Sequence, residues 1–283
     1  MLADSHLHFF SPGFLETLPE ACRRIAPDEV SFYNGLRQAH NIHTALVVGY
    51  EGNPAFAGNN DYLATLVNQY DWIKPVAYCR PAGLTLDQIK KFSSQKFIGL
   101  CFYLFGEHEA TLPLVPDEVW QWLSEQQALV SVNARGQTWA LWRPILDRHP
   151  QLRLLISHMG LPGRWSTPPT PEQARTALST VLLLASYPNT HVKASAFYAL
   201  SDPMYDYPHP QTLPVLDALA EAFGIRRIMW GSDYSPSLEF VSFRQTLASL
   251  DRWTRLNNAD DKAAVMGQTL MKLIAESRMG QTR

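Results

Sequence analysis

The chain has 283 residues, 46% of them hydrophobic, which is enough for one large barrel or two modest domains around a sizeable core. Its net charge of −2, from 24 basic and 26 acidic residues, argues against partners such as nucleic acid or an anionic membrane surface. The three cysteines lack CxxC spacing, which argues against a disulfide framework and a thiolate zinc site and favours a cytoplasmic protein. The first residues lack the basic and apolar regions of a signal peptide, and the apolar runs are too short to span a membrane.

Short β-type runs alternate with longer segments of helical period along the chain. Helical patterns fall at 62–70, 177–185, 216–223 and 240–250, and a last helix, Asp261–Glu276, lies in a closing segment 258–278 that we expect on the outside of the barrel. Eight strands alternating with helices predict an α/β fold, a single (β/α)₈ TIM barrel over residues 1–283. The predicted strands are Leu2–His8, His43–Tyr50, Ile73–Arg80, Phe97–Phe105, Ala128–Asn133, Leu152–His158, His191–Ser195 and Arg227–Ser232.

A doubly wound open sheet is the main alternative fold for this alternation. It would be expected to carry a glycine-rich phosphate loop after the first strand. Here the first strand ends instead at two histidines, His6 and His8. The sequence therefore favours the barrel.

Residues at positions i and i+2 of a strand project from the same face, so His6 and His8 converge on one point. Two convergent imidazoles suit a metal ion or a polarised water. Barrel enzymes carry their sites at the carboxyl ends of the strands, so polar residues there are candidates for the same site. They are Arg80, Tyr103, Asn133, Arg135, His158, Lys193, Ser195 and Asp233.

Four segments, DSHLH, ISHMGLP, HVKAS and MWGSDYSP, lie in this order between residues 4 and 236. Together they resemble the amidohydrolase superfamily, and more narrowly its amidohydrolase-2 branch, which contains sugar-acid lactonases and 2-pyrone-4,6-dicarboxylate hydrolase. The segment Lys262–Ile274 resembles the closing helix of that branch. The resemblance thus covers nearly the whole chain.

The resemblance implies a role for each matching residue. Asp233 would take a proton from the attacking water, and His158 would ligate a metal or polarise a carbonyl oxygen. His6 and His8 would bind one divalent metal ion or, in metal-independent relatives, hold the carbonyl and the water. Many metal-dependent members have a histidine on strand five, where this chain has Asn133, so His6, His8 and Asp233 would provide the three metal ligands, with His158 in reserve. The resemblance leaves a metal cofactor, zinc first, and catalysis without a metal about equally open.

Cationic and aromatic residues near the predicted mouth suggest the substrate. Guanidinium and ammonium groups bind carboxylates, and aromatic rings can wall a flat ring or a sugar face. We expect a hydrolase that opens a lactone or related cyclic ester of an anionic or polyhydroxylated small molecule. A metal-dependent decarboxylase of the same branch and a non-catalytic ligand-binding barrel are the alternatives, and a homo-oligomer is left open. The expected substrate-binding residues are Arg80, Tyr103, Arg135, Lys193, Tyr198 and Tyr234.

Overall fold

The computed structural model describes residues 1–11 and 28–281. Over these residues eight parallel strands pair in chain order and form a nearly closed barrel with helices between them, which confirms the predicted (β/α)₈ fold. Several predicted strands run one or two residues too far at the carboxyl end, because the chain leaves the sheet there to form the loops of the barrel mouth. The strands are β1 (Leu2–Leu7), β2 (Ile42–Val48), β3 (Ile73–Tyr78), β4 (Gly99–Tyr103), β5 (Leu129–Asn133), β6 (Arg153–Ile156), β7 (Thr190–Ala194) and β8 (Ile228–Trp230).

The helices follow the predicted periodic segments. The pattern at 177–185 is split between two short helices and a 3₁₀ turn at Leu183–Ser186. In the described part of the chain none of the helices is long and apolar enough to cross a membrane. The helices are α1 (Glu29–Ala39), α2 (Asn59–Gln69), α3 (Leu86–Ser94), α4 (Asp117–Glu125), α5 (Arg143–Arg148), α6 (Pro171–Ala177), α7 (Ser179–Leu182), α8 (Leu213–Phe223), α9 (Phe243–Ala248), α10 (Ala259–Ala263) and α11 (Thr269–Glu276).

The last predicted helix is interrupted and packs differently from our expectation. A π-helical segment, Ala264–Gln268, separates α10 from α11, and a Cβ on its Gly267 would lie only 2.6 Å from the Ala3 backbone nitrogen. Leu270 and Leu273 of α11 pack with the inward-facing residues of the strands. The carbonyl of Leu273 also accepts from the Arg153 guanidinium at the start of β6. The helix therefore covers the amino-terminal opening of the barrel, where we expected it on the outside.

Side chains alternate along each strand between the barrel interior and the helices. Inward-facing positions such as Val48, Val76 and Leu129 form a buried cluster inside the barrel. Among the cysteines, Cys79 and Cys101 are buried free thiols, while Cys22 lies outside the described residues.

The seam between β1 and β8 is joined through the carboxylate of Asp4. Its Oδ1 accepts hydrogen bonds from the backbone nitrogens of Ser232 at 2.9 Å and His6 at 3.2 Å, and its Oδ2 accepts from the Tyr33 hydroxyl at 2.9 Å. A backbone bridge between Leu7 and Tyr234 continues the pairing. Burial raises the pKa of Asp4 to about 6, against the effect of these hydrogen bonds. The seam brings the carboxyl ends of the first and last strands together.

Candidate active site

Three candidate catalytic groups meet at this seam. His6 Nε2 and His8 Nε2 lie 3.2 Å apart at the end of β1, and each is 3.7 Å from Asp233 Oδ1, just after β8. All three residues are at most 5% exposed. The three atoms therefore form a small triangle at the bottom of the barrel mouth.

The backbone and a neighbouring tyrosine hold Asp233 in this position. Asp233 has a left-handed φ of 55°, and its backbone nitrogen donates to the His6 carbonyl at 2.8 Å. Its Oδ2 accepts from the Tyr198 hydroxyl at 2.6 Å, a distance typical of a hydrogen bond to a carboxylate. Burial is the main cause that raises the pKa of Asp233 to about 7, while the Tyr198 hydrogen bond lowers it. Asp233 can therefore exchange a proton near neutral pH.

The histidines of the site are neutral at that pH. Burial holds the pKa of His6 well below its ordinary value and lowers the pKa of His8 to about 4. His8 Nδ1 lies 2.8 Å from the carbonyl oxygen of Val48, which can only accept a hydrogen bond. His8 therefore carries its proton on Nδ1 and presents a free electron pair on Nε2.

His158 lies against the same pair. Its backbone is left-handed with a φ of 52°, in the turn Ser157–Gly160 after β6, so the strand predicted to reach it ends two residues earlier. Its ring centre is 4.4 Å from that of His6, and its Nδ1 is 2.9 Å from the Ser195 hydroxyl. Burial lowers the pKa of His158 to about 3. The structure thus brings together His6, His8, His158 and Asp233, as their positions at strand ends predict.

Below this group lies a layer of polar side chains that was only partly predicted from the sequence. Lys193 Nζ donates to Ser131 Oγ at 2.7 Å and lies 3.2 Å from His6 Nδ1. Ser131 Oγ is in turn 3.4 Å from the Ser157 hydroxyl, and the buried Asn133 amide nitrogen has no hydrogen-bond partner among the described residues. The period of two along β5 could have identified Ser131, because it places that residue on the same face as Asn133.

Some of the predicted substrate-binding residues are exposed and others are buried. Arg80 and Arg135 are exposed, and Arg80 lines a cavity of about 360 Å³ with Tyr78. Lys193 and Tyr234 have no exposed surface, and the Tyr234 hydroxyl donates to a backbone carbonyl of α1. Contact with substrate stays a prediction for these residues and for Tyr103 and Tyr198.

Tyr103 belongs to an aromatic group that the sequence reasoning did not assemble. Its ring centre lies 4.7 Å from that of Tyr50 and 6.0 Å from that of Tyr78. Burial is the main cause that raises the pKa of Tyr103, and the charges of Cys101 and Asp233 add to it. The three rings, tilted at 47° to 75° to one another, form an aromatic wall at the carboxyl ends of β2, β3 and β4.

Comparison with known proteins agrees with this geometry. The family model described as Amidohydrolase, of the Amidohydro_2 type, matches residues 3–269. The chain belongs to the amidohydrolase-2 family. Family membership supports a hydrolase.

The individual proteins that this chain resembles share little sequence with it or match only part of it. An L-fucono-1,5-lactonase from Burkholderia ambifaria is 34% identical over 93 residues, and the match spans 32% of this chain and 29% of that protein. An amidohydrolase from Burkholderia multivorans with bound zinc has a TM-score of 0.76 at 18% identity, covering 97% of this chain and 99% of the other. A probable 2-pyrone-4,6-dicarboxylic acid hydrolase from Acinetobacter baumannii with bound citric acid has a TM-score of 0.72 at 17% identity, with 97% and 99% covered. At such identities the two structures show a shared fold.

The spacing of the triangle also fits a divalent metal ion in this amidohydrolase. Ligand atoms of His6, His8 and Asp233 lie within 4.8 Å of one another. Tetrahedral zinc with ligands at about 2.0 to 2.1 Å needs ligand atoms about 3.3 Å apart, and the observed separations are 3.2 to 3.7 Å. These three residues would hold the metal and leave one position open, as a catalytic zinc site requires.

Proposed function

We propose that this protein opens a lactone or related cyclic ester of an anionic or polyhydroxylated small molecule, with Asp233 as the base that activates water. The observation that carries the proposal is the triangle of His6 Nε2, His8 Nε2 and Asp233 Oδ1, with edges of 3.2, 3.7 and 3.7 Å. A water at an ordinary hydrogen-bond distance of about 2.8 Å from all three atoms would sit about 2 Å above their plane. One water can therefore contact all three groups at once.

In the proposed reaction the water oxygen forms a bond to the carbonyl carbon while its proton passes to Asp233. The ring carbon–oxygen bond then breaks, and the proton on Asp233 goes to the departing ring oxygen. A neutral His158 can donate an N–H to the carbonyl oxygen when the Ser195 hydroxyl donates to its Nδ1. A divalent metal, if bound, would polarise the water or the carbonyl, and the steps described for these residues do not depend on it.

The exposed cations near the mouth support an anionic substrate. Arg80 and Arg135 lie at the carboxyl ends of β3 and β5, and a guanidinium can grip a carboxylate through two parallel hydrogen bonds. The Tyr50, Tyr78 and Tyr103 rings could pack against a planar lactone. The L-fucono-1,5-lactonase and the pyrone hydrolase among the relatives act on such cyclic esters by name, which supports the proposed reaction class.

A panel of sugar lactones and pyrone carboxylates, followed by acid release, tests the proposal. We expect wild-type protein to open at least one ring and Asp233→Asn to lose at least about 100-fold in kcat, the usual contribution of a general base. Asp61→Asn, the same change at an exposed position on α2, serves as the control and should retain activity. Activity of Asp233→Asn within twofold of wild type would refute the role of Asp233.

Two other outcomes would replace the proposed function. Release of carbon dioxide from an aromatic acid only in the presence of a metal, with no ring opening, would indicate the decarboxylase alternative. Tight binding of a lactone without turnover would indicate a non-catalytic barrel.

A further inference from the structure

Lys193 is a buried lysine whose contacts are unusual for its position. It projects from β7 into the barrel, has no exposed surface, and contacts the Ser131 hydroxyl and His6 Nδ1. Among the described residues no carboxylate forms an ion pair with it. Burying an ammonium costs free energy unless its hydrogens are donated to acceptors. The two contacts are the acceptors that Lys193 has in place of a carboxylate.

The hydrogen bonds around the histidine pair fix the position of each proton. His8 donates from Nδ1 to the Val48 carbonyl, so its Nε2 can only accept. His6 Nε2 faces that acceptor at 3.2 Å, a distance at which it can donate a hydrogen to it. A neutral His6 then has a bare Nδ1, which accepts from the Lys193 ammonium at 3.2 Å. Lys193, His6, His8 and the Val48 carbonyl thus form one chain of hydrogen bonds in which each donor meets an acceptor.

We propose that Lys193 is a positioning residue that holds His6 in the tautomer protonated on Nε2, and that it thereby orients the attacking water and weakens metal binding at the histidine pair. The part that concerns water rests on the proposed function. A water in the triangle would replace the direct contact between the two histidines, accepting from His6 Nε2–H and donating to His8 Nε2 and to Asp233. One electron pair of the water would then remain free to attack the carbonyl carbon.

The same chain makes His6 a poor metal ligand. A zinc-ligating histidine almost always donates its second ring N–H to a carboxylate, carbonyl or water. His8 meets this requirement through Val48, but the second nitrogen of His6 faces a donor. A metal on His6 Nε2 would have to displace its proton and would add positive charge near the Lys193 ammonium. Lys193 thus favours the metal-free site although the spacing of the ligand atoms suits zinc.

Nitrogen-15 NMR of histidine-labelled, metal-free wild-type protein reads the tautomers directly. We expect His6 to be protonated on Nε2 and His8 on Nδ1, with each signal assigned by a histidine-to-glutamine variant. Protonation of His6 on Nδ1 would overturn the proposal. This measurement needs neither substrate nor a Lys193 variant, so its failure is distinct from a failure of the proposed lactonase activity.

Zinc affinity, measured by competition with a chromophoric chelator, tests the second part. We expect Lys193→Met to bind zinc at least about tenfold more tightly than wild type, the usual size of a change next to a ligating histidine. Lys90→Met, the same change at an exposed position of α3, should bind zinc as wild type does. Equal or weaker zinc binding by folded Lys193→Met would overturn the effect on the metal. If Lys193→Met does not fold, Lys193→Gln is the second variant, and it should also bind zinc more tightly because it removes the charge.

Discussion

Replacing Tyr198 by phenylalanine removes the only hydrogen bond recorded to Asp233 Oδ2 in the described part of the chain. The lost contact, 2.6 Å long, is a hydrogen bond to a charged group and contributes about 1.5 to 3 kcal/mol. That free energy corresponds to about 1 to 2 pKa units, so the pKa of Asp233 should rise from about 7 to about 8 or 9. A base acts only when deprotonated, so activity falls as the pH drops through this pKa. At pH 7 we therefore expect about a 5- to 50-fold loss in kcat/KM.

The assay is a profile of kcat/KM against pH for a lactone that wild-type protein opens. Wild type should rise to a plateau above about pH 7, and Tyr198→Phe should reach a similar plateau about 1 to 2 units higher. Tyr205→Phe is the control, because Tyr205 is 75% exposed. An equal loss at every pH would mean that Tyr198 acts on the substrate, and an unchanged profile would mean that its hydrogen bond does not set the basicity of Asp233. Either result would refute the reasoning.

Three further predictions concern packing, a second hydrogen bond and the metal. Gly231→Ala should lower stability by about 1 to 3 kcal/mol in thermal unfolding, because its Cβ would lie 2.9 Å from the His6 Cβ. Gly35→Ala, whose Cβ would meet none of the described atoms within 4 Å, should not. Ser195→Ala should lower kcat by about 2- to 12-fold with little change in KM, because His158 loses its partner, and a change confined to KM would contradict this role. Dialysis against a chelator should leave ring-opening activity within about twofold of the starting value, whereas loss restored by zinc would contradict the metal-free site.

The fold was predictable because its signals are local. The inner strands of a barrel are covered on both faces, so they read as short apolar runs, and all eight were identified. The interruption of the last helix was not predicted, because it depends on the approach of Gly267 to the backbone of β1. The same holds for the covering of the barrel opening by α11, which depends on contacts with strands far away in the sequence.

The candidate site was predictable where a residue lies at or just after the carboxyl end of a strand, as His6, His8 and Asp233 do. It was not predictable where two loops must meet. Tyr198 and Asp233 are 35 residues apart, and sequence spacing does not indicate that the hydroxyl of one binds the carboxylate of the other. Lys193 was predicted as a substrate ligand because it lies on a strand near the mouth, but its depth in the barrel and its contact with His6 are tertiary properties.

The seam at Asp4 has a consequence for synthesis of the protein. His6 and His8 leave the ribosome first among the candidate catalytic groups, whereas Asp233 and the Ser232 amide that binds Asp4 come more than 220 residues later. Until β8 is made, the Asp4 carboxylate lacks this partner and the histidine pair has no base beside it. A nascent or truncated chain that ends before β8 therefore lacks the base of the proposed reaction and should be inactive. Activity can then appear only after the barrel is complete.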